Sequence, residues 1–280
     1  MTTSELPALT STHRTNPIRI APPNRIPAPA YRVRLATDSA DVQAAQRLRF
    51  TVFDTEYGAS TPGPAGLDAD QFDDRCDHLI VCHDGPTGAA GEVVATYRLL
   101  PPHANDFQPR AGGLYSNGEF DLSPLESILD RTVEAGRSCV AAEHRGGAPI
   151  WLLWGGITRY LEATGYRYLL GCASIPLSDG GGNAAAFADL ARGRSAAAEQ
   201  WWCSPAVPFD TAAVARPARP VIPPLLRGYL RLGAVICGPP SLDHDFGTAD
   251  FLTLVDLDTA DPRYLRFFAA HAPADLFDRS

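Results

Sequence analysis

An amphipathic helix followed at once by a nearly continuous apolar strand is the feature that most restricts the fold of this chain. The segment APIWLLWGGITRYLEATG (148–165) has helical periodicity and ends at a glycine, as many helices do. The next segment, YRYLLGCASI (166–175), is apolar on both faces, which is typical of a strand at the centre of a covered sheet. Such a strand needs helices on each side, so the pair predicts an α/β domain.

Shorter apolar segments before and after this unit predict the rest of one mixed sheet flanked by helices. YRVRLAT (31–37) alternates as a strand does, and Asp38 or Ser39 then caps a helix through DVQAAQRLRFTVFDTEYG. A Gly/Pro-containing turn separates the next two strands and predicts an antiparallel hairpin. The further predicted strands are CDHLIVCHD (76–84), GEVVATYRLLP (91–101), TVEAGRSCVAA (132–142) and FLTLVDL (251–257). The further predicted helices are a Gly/Ala-rich one after residue 175 and a short one that turns into a strand in LLRGYLRLGAVICG.

Length and composition predict one ordered domain over 31–280. Residues 1–30 are rich in Pro, Thr, Ser and Asn, which predicts a disordered leader. The formal net charge of −8 argues against nucleic acid as a partner, because phosphate binding needs a basic face. All 24 Lys+Arg positions are Arg, which excludes Schiff-base and P-loop lysine chemistry.

The cysteine and histidine spacings do not indicate a metal site. No two of the 6 cysteines form CxxC and the 7 histidines form no HExxH, so reduced, buried thiols are the favoured interpretation. No apolar run is long enough to span a bilayer, and the N-terminus lacks a secretory apolar region. We therefore expect a cytoplasmic protein, with peripheral contact to the inner face of a membrane left open.

Four carboxylates crowd the segment Asp68-Ala-Asp70-Gln-Phe-Asp73-Asp74. One interpretation is a solvated acidic loop. The other is a site for a cationic amine, since crowded carboxylates attract an ammonium group and one of them can accept its proton.

Three charges lie within predicted strands. Arg98 shares a strand face with Val94 and Thr96. Glu134 and Arg137 interrupt the small apolar run RTVEAGRSCV, where a charge is seldom found unless it is paired or has work to do. In a regular strand these two would lie on opposite faces, whereas a bulge at the intervening glycine would bring them onto one. Both a structural ion pair and a catalytic pair remain open.

Two weaker signals complete the set of candidate site residues. Arg145, Gly146 and Gly147 precede the 148–165 helix, and glycines before a helix N-terminus expose N–H groups that can hold a phosphate. His78 is an alternative base, although a lone histidine in a strand is more often structural.

Several of these segments together resemble the GNAT acyltransferases. YLRLGA (229–234) is similar to the step before that fold's penultimate strand. RLRFTVFDTEYG, DADQFDDRCDHLIV, ATYRLLP and VEAGRSCV resemble the branch that uses acyl carrier protein, which includes the acyl-homoserine-lactone synthases and the N-acyl amino acid synthases. GEFDLSPL, GCASIP, PRYLRFF and the long run from PPLLRGYL to LTLVDL most resemble the ornithine N-alpha-acyltransferases, often described as hemolysin-like. The resemblance runs from about residue 31 to 268.

The resemblance implies roles for the charged residues. The acidic motif, the arginine strand and the ExxR strand that form the core of the homoserine-lactone synthases are matched here by Asp68, Asp70 and Asp73, by Arg98, and by Glu134 and Arg137. Asp68 stands where that branch has Glu. Glu134, Asp70 and Asp73 become candidate proton acceptors, while Arg98 and Arg137 would fix the acidic loop or bind the acceptor's carboxylate. Backbone N–H groups of Ser138, Cys139, Val140 and Ala141 become candidate oxyanion donors, and Arg145–Gly147 the place where phosphopantetheine passes.

The implied activity is transfer of a long-chain (3-hydroxy)acyl group from acyl carrier protein to the α-amine of ornithine, giving a lyso-ornithine lipid. The thioester is a co-substrate, either on the carrier's phosphopantetheine or on CoA, and no bound cofactor or metal is expected. Three alternatives stay open: an N-acyl amino acid or signal synthase with another acceptor, an acetyl-CoA N-acetyltransferase, and a silent lipid- or partner-binding relative.

Overall fold

A computed structural model of the chain describes residues 31–84, 91–102, 113–274 and 276–277. The predicted leader at 1–30 and the predicted turn at 85–90 lie outside these residues. Within them the chain forms a mixed α/β fold around one large sheet.

That sheet has eight strands among the described residues, in the order β1-β2-β3-β5-β6-β10-β8, with β9 also pairing β10. All neighbours are antiparallel except β5 and β6. The two short strands β4 and β7 form a separate ribbon. The strands are β1 (Tyr31–Leu35), β2 (Asp77–His83), β3 (Glu92–Leu100), β4 (Phe120–Asp121), β5 (Thr132–Val140), β6 (Tyr168–Pro176), β7 (Ser204–Pro205), β8 (Val235–Ile236), β9 (Ser241–Asp243) and β10 (Thr248–Asp256).

Helices cover both faces of the sheet. Helix α3 packs on β1, β2 and β3 from one side, and α1 packs on β3 and β5 from the other. The Asp38 carboxylate caps α1 by accepting from the Asp41 N–H, and a π-helical turn, Thr51–Glu56, continues it. The helices are α1 (Ser39–Phe50), α2 (Glu126–Leu129), α3 (Ala148–Thr164), α4 (Gly182–Arg194), α5 (Pro224–Leu232) and α6 (Pro262–Ala269). In the described part of the chain, no helix combines the length and the apolar character that crossing a bilayer requires.

The main core lies between the sheet and α3. Val133 and Leu169 are buried there from β5 and β6, together with Leu153, Trp154 and Ile157 of α3. Both sequence-based predictions are confirmed. The apolar face of α3 packs on the sheet, and β6 is an interior strand that lies between β5 and β10.

Strands β5 and β6 separate early, although each has nine residues. Their parallel pairing covers only Thr132, Val133 and Glu134, opposite Tyr168, Leu169 and Leu170. Beyond this point the two strands no longer pair, and we call the gap between them the cleft. Along the cleft, the β5 backbone groups that face away from β3 have no strand partner among the described residues.

Some element boundaries differ from the sequence-based expectations. The strand predicted at 132–142 ends at Val140, because Ala142–His144 forms a 3₁₀ turn. The last strand begins at Thr248 rather than at 251, since Thr248 and Asp250 are buried polar residues that hydropathy places outside a strand. The short strands β4, β7 and β9 and the helices α2 and α6 were not predicted, because segments this short carry little periodicity.

Candidate active site

A β-bulge in β5 brings Glu134 and Arg137 onto one face of the sheet. Thr96 of β3 pairs with Cys139 and Arg98 pairs with Gly136, so β5 has one extra residue in this interval. The left-handed conformation falls on Arg137, with φ of 52°, rather than on Gly136. The bulge is therefore present, one residue after the glycine at which the sequence suggests it.

The acidic segment packs against the sheet and is largely withdrawn from solvent. Arg98 Nη1 lies 2.7 Å from Asp70 Oδ1 and 3.4 Å from Asp73 Oδ1. Arg137 lies farther away, with Nε 3.4 Å from Asp68 Oδ2 and Nη2 3.7 Å from Asp70 Oδ2. Both Asp68 and Asp73 are buried, so the expectation of a solvated acidic loop is wrong.

A third arginine, Arg49 of α1, holds this segment from the other side. Its Nε donates to Asp68 Oδ2 at 2.9 Å, and its Nη2 donates to Asp73 Oδ1 at 2.8 Å. Arg49 is completely buried. It lies on the same helical stripe as Ala45, Leu48 and Val52, so an arginine on the apolar face of α1 was the signal that could have identified it.

These contacts argue against Asp70 and Asp73 as proton acceptors. Burial alone would raise the pKa of Asp73, but Arg49, the Asp70 N–H and Arg98 outweigh it and hold the pKa below its ordinary value. Asp70 accepts from Arg98 and from the Phe72 N–H. The lowered pKa makes Asp73 a weak base, and the Asp70 carboxylate is occupied by its partners.

Glu134 has a different environment. Its Oε1 accepts from the Ser116 N–H at 2.8 Å and from Ser116 Oγ at 2.6 Å, and its Oε2 accepts from the Tyr115 N–H at 2.6 Å. The residue is buried, and burial raises its pKa against the opposing effect of these hydrogen bonds. One lone pair of Oε2 stays unused by these bonds and can accept a further hydrogen bond or a proton.

The end of β5 offers one backbone donor to the cleft. The Ala141 N–H donates to the Val94 carbonyl, so Ala141 cannot be an oxyanion donor as the sequence suggested. Because alternate residues of an antiparallel pair turn their amides outward, Val140, which faces Ala95, directs its N–H away from β3. Ser138 is half-buried beside the bulge.

Two of the predicted site residues, Cys139 and His78, have side chains that are buried and contact other protein groups. Cys139 packs with Leu48 and Val52 of the α1 region, and burial raises the pKa of its thiol to about 12. The His78 Nε2–H donates to the Asp73 carbonyl at 3.0 Å, and burial lowers the pKa of the imidazole. The buried imidazole in this position helps to hold the acidic segment through Asp73.

The segment Arg145–Gly147 lies beside that cleft end. Arg145 Nε donates to the Val140 carbonyl at 3.0 Å, and Nη2 forms a 2.6 Å ion pair with Glu56. Gly147, with φ of 117°, immediately precedes α3. The order of these residues places a half-exposed guanidinium and a helix N-terminus next to the outward amide of Val140.

A second group of titratable side chains, which the sequence did not reveal, lies next to Glu134. Ligand atoms of Glu119, Cys172 and Asp250 lie within 4.8 Å of one another, an arrangement that could hold a cation. Ser116 connects the two groups, because its Oγ contacts both Glu134 and, at 3.4 Å, Cys172 Sγ. No periodicity could have predicted this, since Glu119 is in a loop and Asp250 is far away in sequence.

Two solved structures are similar to the chain over most of its length. A solved CoA-dependent acyl-homoserine lactone synthase is 15% identical, with 86% of this chain and 88% of that chain covered and a TM-score of 0.49. An N-acyl amino acid synthase from uncultured soil microbes is 12% identical, with 82% and 93% covered and a TM-score of 0.48.

Comparison of sequences is more informative. The acetyltransferase (GNAT) domain model matches residues 48–155. An L-ornithine N(alpha)-acyltransferase of Brucella abortus is 34% identical over 255 residues, which cover 86% of this chain and 89% of that enzyme. A Rhizobium meliloti protein of the same name is 35% identical over 254 residues, covering 85% and 84%.

Proposed function

Because this chain belongs to the family of the L-ornithine N(alpha)-acyltransferases among the GNAT acyltransferases, we propose that it acylates the α-amine of ornithine. It is an N-acyltransferase, and enzymes of this class take the acyl group from a thioester. The similarity to enzymes of that name over most of the chain is the observation that carries the choice of acceptor. The product would be a lyso-ornithine lipid.

In this proposal Glu134 accepts the proton that the attacking amine must lose. The neutral amine attacks the thioester carbonyl and forms the C–N bond, the C–S bond then breaks, and the thiolate leaves and is protonated. A base whose pKa is raised by burial is better matched to an ammonium group than an ordinary carboxylate is. The three donors from Tyr115 and Ser116 fix the orientation of the carboxylate.

The Val140 N–H is the proposed donor to the oxyanion of the tetrahedral intermediate. The direction of this N–H group is fixed by the pairing of β5 with β3. The Val140 carbonyl accepts a hydrogen bond from Arg145. A preorganised backbone donor stabilises the developing charge without reorganisation.

Arg137 is the proposed partner of the acceptor's carboxylate. Its nearest contact to an aspartate is 3.4 Å, longer than the nearest contacts of Arg49 and Arg98, which are 2.8 Å and 2.7 Å. Its Nε has no hydrogen-bond partner among the described residues. A guanidinium in this state can bind a carboxylate through two parallel hydrogen bonds. Arg98, which is closely paired with Asp70, fixes the geometry instead.

We further propose acyl carrier protein as the donor, carrying a long-chain (3-hydroxy)acyl group. Its phosphopantetheine would pass Arg145, Gly146 and Gly147 at the N-terminus of α3, where N–H groups and a guanidinium favour a phosphate. The carrier is acidic, so a local arginine on a chain of net charge −8 would guide its docking. A cytoplasmic location with peripheral membrane contact would suit this reaction.

The experiment that tests this proposal is a product analysis with the purified full chain. The chain is incubated with 3-hydroxyacyl-carrier protein, long-chain acyl-CoA or acetyl-CoA, each with ornithine or another amino acid, and products are followed by mass. We expect acyl-ornithine, formed fastest from the carrier protein. Products from other amines only, or from acetyl-CoA only, would contradict the proposed acceptor or donor.

A further inference from the structure

The group formed by Glu119, Cys172 and Asp250, which we call the second acidic site, has no part in the mechanism above. It lies on the same sheet face as Glu134: Cys172 follows Leu170 by two residues on β6, and Leu170 is the parallel partner of Glu134. Asp250 lies opposite Ser174 on the neighbouring strand β10 and is only 4% exposed. The second acidic site therefore borders the position where the acceptor's amine must lie.

The carboxyl groups of the second acidic site differ from the nearby aspartates in their ion pairs. Asp68, Asp70 and Asp73 each form ion pairs with arginines, whereas none of the described arginines or histidines forms an ion pair with Glu119 or Asp250. Asp250 Oδ1 accepts from Thr248 Oγ1 at 2.6 Å.

The carboxylate of Glu119 is the more unusual of the two. Both of its oxygens are withdrawn from solvent and accept no hydrogen bond from a described N–H group. The side chains that interact with the carboxyl group include those of Asp250 and Cys172. A carboxyl group withdrawn from water is costly to ionise unless a cation or hydrogen-bond donors compensate its charge. Burial, with Asp250 and Asp243 nearby, raises the pKa of Glu119 to about 8. The second acidic site therefore brings two carboxyl groups together with no arginine or histidine ion-pair partner among the described residues.

The distribution of charge around Tyr115 shows which cation would fit. The Arg137 guanidinium carbon lies 5.1 Å from the centre of the Tyr115 ring, and the Tyr115 N–H binds Glu134. Burial raises the pKa of the Tyr115 phenol, Arg137 opposes this rise, and Glu119 and Asp243 add to it, so all three charges act on one ring. A guanidinium, a base and a pair of uncompensated carboxylates thus surround one region.

We propose that Glu119 and Asp250 bind the side-chain ammonium group of the acceptor, and so make the enzyme selective for diamino acids over neutral amino acids. The acceptor's carboxylate would bind Arg137, its α-amine would face Glu134, and its second ammonium would be held by the second acidic site. The inference rests on the proposed acyl transfer to an amino acid, and it extends that proposal to the residues that recognise the acceptor's side chain.

The test compares ornithine with norvaline, which has the same carbon chain without the second amine. The kcat/KM for each acceptor is measured for the full-length wild type and for Glu119→Gln and Asp250→Asn. We expect the ornithine-to-norvaline ratio of kcat/KM to fall at least tenfold in each variant, mainly through KM for ornithine. A variant that only disturbed the fold would lower kcat/KM for both acceptors by the same factor and leave their ratio unchanged.

Glu126→Gln is the matched control, since Glu126 is an exposed acid in the segment that follows Glu119. Its ratio should equal that of the wild type. Circular dichroism verifies folding, and Asp250→Asn decides the question if Glu119→Gln does not fold. An unchanged ratio in a folded variant would overturn the inference.

Two further outcomes separate this inference from the proposed function. If the wild type prefers another diamino acid to ornithine and the variants lose that preference over its neutral counterpart, the inference stands while the choice of ornithine is wrong. If chelation with EDTA abolishes activity and the protein contains one metal ion per chain, the second acidic site is a metal site and the inference is overturned.

Discussion

At the scale of single residues, Glu134 differs from the neighbouring aspartates in what surrounds its carboxylate. Asp68 and Asp73 are held by the positive charge of arginines, whereas Glu134 is held by the neutral donors of Tyr115 and Ser116. Arginine charge outweighs burial and lowers the pKa of Asp73, whereas at Glu134 burial outweighs the hydrogen bonds and the more distant charge of Arg98 and raises the pKa. The same sheet face therefore contains carboxylates with different chemical properties.

Replacing Glu134 with Gln removes the proposed proton acceptor and keeps the size of the side chain. We expect turnover to fall at least about 100-fold, the usual contribution of a positioned base, with the circular dichroism spectrum unchanged. The exposed Glu126→Gln again serves as the control and should keep the wild-type rate. A rate close to that of the wild type in Glu134→Gln would remove Glu134 from the mechanism.

The pH dependence of the reaction should also report Glu134. Its carboxylate must be ionised to accept a proton, and burial raises its pKa above the ordinary value near 4.5. Activity should therefore be lost as the pH falls through this raised pKa, so the acid limb of kcat/KM lies above pH 4.5. The measurement is a pH–rate profile at constant ionic strength. An acid limb at or below the ordinary value would contradict the assignment.

Arg49 tests how the acidic segment is held. Its replacement by Met leaves Asp68 and Asp73 buried without their closest cation, and breaking a buried ion pair in this way typically costs about 3–5 kcal/mol. We expect the urea midpoint of Arg49→Met to fall accordingly. Arg47→Met is the matched control, because Arg47 is exposed on the same helix and should change stability little. Equal midpoints for the two variants would contradict the role of Arg49.

At the scale of elements, the bulge in β5 decides which charges meet. A regular strand would turn Arg137 to the face covered by α3, whereas the extra residue places it with Glu134. The fold keeps Arg137 in a left-handed conformation, which is unfavourable for a residue with a side chain. Strain of this kind is usually retained where a side chain has a function.

Replacing Arg137 with Gly or with Ala separates this strain from the function. Both variants lose the guanidinium, so we expect the KM for ornithine to rise at least about tenfold in each. Gly adopts the left-handed conformation without a penalty, so Arg137→Gly should be more stable than Arg137→Ala by about 1 kcal/mol in urea unfolding. The account of the bulge fails if Arg137→Ala is the more stable of the two.

The elements also show where sequence patterns are sufficient. The helix at 148–165 and the strand after it were predicted nearly residue by residue, because each buries a regular apolar pattern. The bulge could only be left open, since Gly136 permits one without requiring it. Arg49 was visible on the apolar stripe of α1, but its partners were not, because an ion pair depends on packing that periodicity does not describe.

At the scale of the whole molecule, the separation of β5 and β6 is what creates a site. Their pairing ends at Glu134 and Leu170, and beyond it β5 presents Arg137 and the outward amide of Val140. The family resemblance of the separate motifs could predict that Asp70, Arg98 and Glu134 belong together. It could not predict the second acidic site, because Glu119 and Asp250 meet only through the tertiary fold.

The measurement that tests the account most directly is the position of the acyl group on the product. The purified chain is supplied with 3-hydroxyacyl-carrier protein and ornithine, and the product is fragmented in a mass spectrometer. If the second acidic site holds the side-chain ammonium while Glu134 receives the proton of the α-amine, the acyl group must be on the α-nitrogen alone. Acylation of the δ-nitrogen, a mixture of both products, or no acyl-ornithine with any thioester donor would contradict the account.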